Sequence, residues 1–346
     1  MQSTLALFAC PKCKASLVAS GSGIQCLSCD AIYSIEDGLY KFIAGKSDHG
    51  EFDHQTMRDI LAHARENGWR RTVAEVMAPN HIRVGRLLDH QKRELTLDPL
   101  PDGGGTVLDF GCGYGAVSVA LSRKYQTVVS LDGSEERVSF LNIIRQQDGL
   151  ENVIAVCHID PTHLPFGNDT FDAVVLVGVF EYLPLSLPHM TIFEAHDAVL
   201  RSFFRILKPG GKLLMHTKNR FGWNYMLGAK DNNRLRFGPC LPIPLADFLM
   251  RLKGQGRYRT INYSYNRYQE IMRHAGFEIS RMYWPFPGYQ EPHALIDFSA
   301  NVAAQIAAIP SEYVSGPKRA AFRMLAKMGM LRHIVPQLGI MATKPL

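Results

Sequence analysis

The chain has 346 residues, a hydrophobic content of 46% and a mean hydropathy of −0.07, values of an ordinary globular protein with a sizeable core. No run of about 18 apolar residues occurs, so we expect no membrane span. We also expect no signal peptide, because the first residues carry neither a basic leader nor a long apolar region. The formal net charge of +6 is too mild for a dedicated nucleic-acid binder, although it would suit a phosphorylated or acidic partner.

Four of the seven cysteines lie within the first thirty residues, as two Cys-x-x-Cys pairs. Each pair can place two thiolates on one metal ion, so the two pairs predict a structural zinc site with no open position for catalysis. Two disulfides or an iron centre are the alternatives. Since the other three cysteines are scattered, we expect no disulfide framework and a reduced, cytoplasmic protein. The predicted zinc ligands are Cys10, Cys13, Cys26 and Cys29.

Residues 31–38, AIYSIEDG, follow the second cysteine pair. They resemble the end of the small zinc-ribbon proteins that activate tRNA methyltransferases, a likeness that covers about the first 42 residues. The resemblance implies a zinc-ribbon domain at 1–45 that serves as a scaffold or interaction surface. A polar linker at 45–50 follows. The rest of the segment 46–105 is predicted to contain two helical stretches, near 53–78 and 80–96. These helices either cover the ligand site or form an ordinary packing layer.

The chain is organised around residues 106–132. An apolar run ends in Asp109, three glycines alternate at Gly111, Gly113 and Gly115, and a second apolar run ends in Asp132. This pattern predicts strand, turn, helix and strand, the first half of a doubly wound α/β domain. Glycines let a backbone turn tightly and approach a ligand, and an acid after the second strand can accept from ribose hydroxyls. A nucleotide oxidoreductase or a purely structural turn is the alternative, although the third glycine comes one residue early for a dinucleotide fingerprint.

The spacing Asp-x-Gly-x-Gly-x-Gly resembles motif I of class I S-adenosylmethionine (SAM) methyltransferases. The phrases LPFGNDTFD at 164–172 and LKPGG at 207–211 are also typical of that family. The resemblance implies a Rossmann-like, doubly wound sheet of seven strands over 106–346, with insertions near 217–262 and 290–334. It also implies that the turn faces the methionine part of SAM, that Asp132 holds the ribose and that Asp160 binds the adenine amino group. The implied cofactor-binding residues are Asp109, Gly111, Cys112, Gly113, Asp132, Gly133, Asp160 and Gly178.

Further elements follow from apolar runs and capping residues. Ser134 is placed to cap a helix that reaches about Gln147, with two glutamates in its first turn. Another helix is predicted over about 190–207, and residues 294–333 are Ala-rich and read as helical. We expect strands six and seven to pair antiparallel. The predicted strands three to seven are 153–158, 173–178, 213–216, 277–283 and 337–343.

Polar and aromatic residues follow the fourth and fifth strands, at the edge where open α/β sheets bind ligands. The stretches 216–228, 263–268 and 283–289 resemble methyltransferases of bacterial surface-glycan and sugar-nucleotide gene clusters. That resemblance implies a small-molecule or glycan acceptor methylated on oxygen or nitrogen; alternatively, these stretches are ordered loops without specificity. Basic residues at 229–262 indicate either a substrate lid or a solvated basic surface. The predicted substrate-binding residues are Tyr182, Asn219, Arg220 and Tyr225.

Methyl transfer to a hydroxyl needs alignment, a dry pocket and a base. His216, at the end of strand five, is the first catalytic candidate because imidazole titrates near neutrality, and Glu181 is the second. Two other functions stay open. The zinc module can help an RNA methyltransferase to grip RNA, or the chain can be a non-catalytic adaptor. The sequence does not determine the oligomeric state.

Overall fold

The computed structural model describes residues 2–43, 51–81, 84, 88–89 and 91–346. The predicted linker at 45–50 lies outside the described residues, as does part of the second predicted N-terminal helical stretch. None of the helices in the described part of the chain has the length and apolar character needed to cross a bilayer. The strands are β1 (Leu17–Ser20), β2 (Gly23–Cys26), β3 (Ile32–Glu36), β4 (Leu39–Ile43), β5 (Gly104–Phe110), β6 (Tyr125–Asp132), β7 (Val153–His158), β8 (Phe171–Val177), β9 (Leu207–Lys218), β10 (Glu278–Phe286), β11 (Ala294–Asp297) and β12 (Gln337–Thr343).

Helices connect most of these strands. Short 3₁₀ turns lie at Gln91–Arg93, Phe180–Leu185 and Gly238–Cys240, and a π-helical turn lies at Val73–Met77. The α-helices are α1 (Gln2–Leu5), α2 (His54–Asn67), α3 (Trp69–Thr72), α4 (Ala78–Asn80), α5 (Glu94–Leu97), α6 (Ala116–Leu121), α7 (Glu135–Gln147), α8 (Ile192–Ile206), α9 (Trp223–Met226), α10 (Ile243–Leu252), α11 (Tyr265–His274), α12 (Val302–Ala308), α13 (Gly316–Lys327) and α14 (Leu331–Ile334).

Within the described residues the sheet has twelve strands, in the order β1-β2-β3-β4-β7-β6-β5-β8-β9-β12-β10-β11. The prediction of seven strands is therefore wrong, although seven consecutive members of this order, β7 to β10, are the strands that the sequence predicted. Four additional strands, β1 to β4, come from the N-terminal segment. They join the sheet because β4 pairs in parallel with β7, with Leu39 opposite Ala155. The last addition is β11, which pairs antiparallel with β10. Its four residues were expected to be helical, since a short apolar run does not distinguish the two states.

The chain divides into two compact units, of which the first comprises Met1–Leu176, Ser202–Lys212 and Leu346. Its central strands β5, β6 and β7 are parallel, and β5 also pairs in parallel with β8. The predicted cap of α7 is confirmed, because the Ser134 side chain accepts from the backbone N–H of Arg137. The N-terminal helix α2 buries Met57, Ile60 and Leu61 in one cluster with Tyr114 and Phe140. Because Tyr114 belongs to the glycine motif, these contacts suit both a cover and a packing layer, and both interpretations of the N-terminal helices stay predictions.

The second unit comprises Val177–Arg201 and Leu213–Pro345. The predicted antiparallel pairing of β10 with β12 is confirmed, with Met282 opposite Ile340. Helix α11 is capped by the side chain of Ser264, which accepts from the N–H of Arg267. Strand β9 begins at Leu207 rather than at the predicted residue 213, so its first residues, Leu207 to Lys212, belong to the first unit.

The imidazole ring of His158, at the end of β7, lies edge-on to the ring of Phe42 from β4, with the ring centroids 6.3 Å apart. Burial lowers the pKa of His158 to about 4, with Lys14 acting in the same direction and Asp160 opposing it. The unfolded chain, with an ordinary histidine pKa near 6.5, therefore binds the proton first as the pH falls. We expect the free energy of unfolding to fall by about 3 kcal/mol between pH 6.5 and 4 because of this residue. Urea unfolding of wild type and His158→Leu across that range tests this, and parallel pH profiles would contradict it.

Candidate cofactor and acceptor sites

The glycine turn links β5 to α6 in the first unit. Gly111, Gly113 and Gly115 have φ angles of 73°, 55° and 97°, in the left-handed region that favours glycine. The backbone N–H groups of Gly111 and Cys112 donate to the Leu131 carbonyl of β6 at 2.8 and 3.1 Å. The turn is thereby fixed to the neighbouring strand that ends in the second predicted acid.

Two of these glycines are needed for different reasons. A Cβ on Gly115 would lie 2.3 Å from Cδ1 of Leu141, so glycine lets the turn pack closely on α7. A Cβ on Gly113 would meet no heavy atom within 4 Å. The space beside Gly113 is therefore open, and a ligand can approach the backbone there.

Asp132 lies beside the open part of the turn. Its Oδ2 accepts from the N–H of Gly113 and its Oδ1 accepts from the N–H of Ser134, each at 2.9 Å. A carboxylate has about four acceptor positions, so these two bonds fix its orientation and leave positions for hydroxyl groups. The structure thus brings Gly113 and Asp132 together, and the open backbone and the carboxylate fit a ligand that carries hydroxyl groups, such as SAM. The contact of Asp132 with the ribose stays a prediction.

Asp109 and Cys112, also predicted to bind the cofactor, are buried. Asp109 accepts from the hydroxyl of Ser118 in α6 at 2.6 Å, and burial raises its pKa to about 7. Burial likewise raises the pKa of the Cys112 thiol. Both side chains therefore support the turn from within the protein.

Gly133 and Asp160 belong to adjoining loops, since a Cβ on Gly133 would lie 3.2 Å from Cγ1 of Ile159. Asp160 accepts from the N–H of Thr162 at 2.9 Å and from its hydroxyl at 2.6 Å, and its other oxygen lies 2.9 Å from Nδ1 of His163. The carboxylate therefore organises its own loop. Its predicted contact with adenine stays a prediction.

A polar cluster beside the glycine turn was not predicted. The hydroxyl of Tyr114 donates to Oε2 of Glu51 at 3.1 Å, and Arg137 donates to the same oxygen at 2.8 Å. Tyr114 belongs to the glycine motif and Arg137 to the first turn of α7, so sequence position could have pointed to both. Nothing in the sequence could have identified Glu51, which precedes Tyr114 by 63 residues.

The four N-terminal cysteines form one cluster, in which all four Sγ atoms lie within 4.8 Å of one another. The Sγ atoms of Cys10 and Cys29 are 3.6 Å apart, and those of Cys13 and Cys26 are 3.4 Å apart. Tetrahedral zinc with Zn–S bonds of about 2.3 Å needs sulfur atoms about 3.8 Å apart. The predicted ligands therefore meet and fit a structural zinc ion.

His216 is fully buried in the second unit. Its Nε2 lies 2.7 Å from the hydroxyl of Tyr283, and its carbonyl accepts from the N–H of Gly178 at 2.8 Å. Gly178, with φ of 69°, has no room for a Cβ, which would lie 2.6 Å from the hydroxyl oxygen of Tyr289. Gly178 thus packs against the aromatic residues around His216.

Glu181 is also fully buried and begins a polar network. Its Oε2 accepts from the hydroxyl of Thr217 at 3.4 Å, and its Oε1 lies 3.8 Å from Nζ of Lys218. The Thr217 hydroxyl is also 2.9 Å from the hydroxyl of Tyr268. Oε1 of Glu181 is buried without a hydrogen bond, so this carboxylate can accept a further donor.

Two of the predicted substrate-binding residues hold loops. The side-chain amide of Asn219 donates to the carbonyls of His333 and Val335 at 3.0 and 2.9 Å, and Arg220 donates to the Leu241 carbonyl at 2.8 Å. Tyr225 is buried and accepts from the Asn262 amide at 3.3 Å. Tyr182, by contrast, is exposed.

Residues 108–215 match the family model described as "Methyltransferase domain". These residues are therefore similar to a methyltransferase domain. The matched segment contains Asp109 and the glycine turn, on which the family resemblance rested, together with Asp132 and Asp160.

Curated relatives match this methyltransferase domain and its surroundings. Methyltransferase GfsG of Streptomyces halstedii is 31% identical over 113 residues, 32% of this chain and 36% of the relative. The ubiquinone biosynthesis O-methyltransferase of Psychrobacter arcticus is 29% identical over 140 residues, 40% of this chain and 49% of the relative. The demethylmenaquinone methyltransferase of Clavibacter sepedonicus is 31% identical over 115 residues, 33% of this chain and 42% of the relative. The chain thus spans less than half the length of each of these relatives.

Proposed function

We propose that this chain is a SAM-dependent methyltransferase that methylates oxygen or nitrogen of a glycan- or sugar-related small molecule. The observation that carries the enzyme class is the open backbone at Gly113, whose N–H donates to Asp132. The match of residues 108–215 to a methyltransferase domain supports it.

Bound SAM would supply an electrophilic methyl group on a sulfonium. The chain's own residues bind and orient: Gly113 lets the donor approach the backbone, and Asp132 accepts from ribose hydroxyls. Gly133 and Asp160 then line the part of the site that holds the adenine of SAM. Glu181 or His216 would take a proton from an acceptor hydroxyl, as the sequence predicted.

The acceptor class is supported by the polar interior of the second unit. Buried polar atoms without a hydrogen bond there include Oε1 of Glu181, Oδ1 of Asn262 and Oδ1 of Asn224. Hydroxyl and amino groups of a sugar-like acceptor can satisfy such atoms, whereas an apolar ring cannot. Two relatives are named for ubiquinone and demethylmenaquinone, so quinone precursors are the competing class.

Calorimetry with SAM tests the enzyme class, and transfer of a tritiated methyl group tests the acceptor. Sugar nucleotides, glycans, quinone precursors, other small metabolites and RNA form the acceptor panel. We expect SAM binding and label in a sugar-containing acceptor. Label in quinone precursors or RNA alone would overturn the acceptor class, and failure to bind SAM, or preference for a nicotinamide dinucleotide, would overturn the enzyme class.

We further infer that residues 1–45 are a zinc ribbon of the activator type, in a reducing, cytoplasmic setting. The clustering of the four sulfur atoms within 4.8 Å of one another supports zinc, and the pairing of β4 with β7 supports a scaffold role. Because β7 in turn pairs with β6, loss of the metal should loosen the strand that carries Asp132.

Zinc removal is therefore expected to lower the thermal unfolding midpoint by at least about 5 °C, since metal binding supplies most of the stability of so small a unit. Native mass spectrometry should find one zinc in wild type and none in Cys26→Ser. Cys240→Ser, which changes a cysteine outside the cluster, is the control. An unchanged midpoint after chelation, or equal zinc content in both variants, would contradict the proposal.

A further inference from the structure

Residues 221–259, called here the basic insertion, hold seven Arg and Lys residues but only two Asp, in a chain whose net charge is +6. Both acids are already engaged within the insertion. Asp231 accepts from the hydroxyl of Tyr258 at 2.7 Å, and Asp247 pairs with Arg251 at 2.8 Å. Most of the positive charge therefore has no acidic counterpart in this segment.

The helix of the basic insertion, α10, also exposes an apolar stripe. Leu245, Phe248 and Leu252 are 44%, 56% and 68% exposed, and their spacing of three and four residues places them on one face. Ala246 and Met250 are buried on another face of the same helix. One face of the helix is thus packed on the protein, and another presents large apolar side chains. The residues that follow, Lys253 to Arg257, are all exposed.

A second helix with exposed apolar and basic side chains adjoins the basic insertion. Helix α13 has no buried residue, exposes Met324, and carries four basic residues. Trp223, within the basic insertion, stacks on Phe322 of α13 with ring centroids 5.1 Å apart. Two neighbouring segments of the second unit therefore combine exposed apolar side chains with positive charge.

We propose that the basic insertion binds the surface of an anionic lipid bilayer, with the stripe of α10 in the interface and its cations at the headgroups. A helix with an apolar face and flanking Arg and Lys residues has the chemistry of a peripheral membrane anchor. Nucleic acid accounts for the charge and could stack on Phe248, but it does not account for the two exposed leucines beside that ring. This attachment is independent of the methyl acceptor.

Co-sedimentation of the full chain with vesicles tests the proposal. We expect binding to vesicles of phosphatidylglycerol and phosphatidylcholine in equal parts, weakened by salt, and little binding to phosphatidylcholine alone. The double variant Phe248→Ser with Leu252→Ser should bind at least about tenfold more weakly. Its control is Leu27→Ser with Ile32→Ser, which removes two equally exposed apolar side chains from the N-terminal segment and should bind as wild type does.

A second pair of variants tests the charges. Lys253→Gln with Arg257→Gln should weaken vesicle binding by about 25-fold, since each cation near an anionic surface contributes about fivefold. Arg58→Gln with Arg65→Gln, two exposed cations on α2, should leave binding unchanged. Unchanged thermal midpoints would show that each variant is folded. The proposal would be overturned if the chain bound both vesicle types equally, or if test and control variants bound equally. It would also be overturned if the chain bound RNA and Phe248→Ser with Leu252→Ser left that binding unchanged.

Discussion

Gly113→Ala is expected to weaken SAM binding on the order of 30-fold, because the new methyl group enters the space beside the turn. That space is open, with no heavy atom within 4 Å of the added Cβ, so the methyl group would meet the ligand and not the protein. The φ angle of 55° adds a strain of only about 1 kcal/mol to the folded state. Calorimetry measures the loss of SAM affinity, and urea unfolding measures the strain in the folded state.

Gly115→Ala is the matched control, two residues further along the same turn. Its Cβ would lie 2.3 Å from Cδ1 of Leu141, and its φ angle is 97°. The overlap and the strain together should lower the free energy of unfolding by about 3 kcal/mol. If Gly113→Ala binds SAM as tightly as wild type, or if the two variants are equally stable, the assignment of the open side of the turn is wrong.

Those parts of the fold that depend on local chemistry could be predicted from the sequence. The hydroxyl of Ser134 begins α7, and that of Ser264 begins α11, because each satisfies a free N–H of the first turn. Strands β7 and β12 match their predicted bounds, since each has a mostly apolar stretch that ends at a polar residue, His158 in β7 and Thr343 in β12.

Contacts between distant segments could not be predicted. The pairing of β4 with β7 joins residues more than a hundred positions apart, and it makes the N-terminal strands part of the same sheet. Asn219 shows the same limitation at the level of a side chain. It was predicted as a clamp for sugar hydroxyls, but its amide donates to two carbonyls more than a hundred residues further along the chain. A sequence pattern shows that a polar group is available, whereas its partner depends on the tertiary fold.

Asp132→Asn is expected to weaken SAM binding by about 50-fold, because a charged acceptor for hydroxyl groups becomes a neutral one. The amide oxygen can accept from the N–H of Gly113 or from that of Ser134 but not from both, so one of these two hydrogen bonds is lost and contributes to the change in stability. The measurement is SAM affinity by calorimetry, with the urea unfolding profile as the check on folding.

Asp172→Asn is the control for this substitution. Asp172 also accepts from a backbone N–H, that of Thr106 at 2.7 Å, and pairs with Lys208. It lies at the start of β8, whereas Asp132 ends β6, and both strands run parallel to β5. The two acids therefore occupy opposite edges of the sheet, and only the carboxyl edge binds ligands in folds of this kind. Equal loss of SAM affinity in both variants would mean that the charge acts through the stability of the sheet and not through contact with the donor.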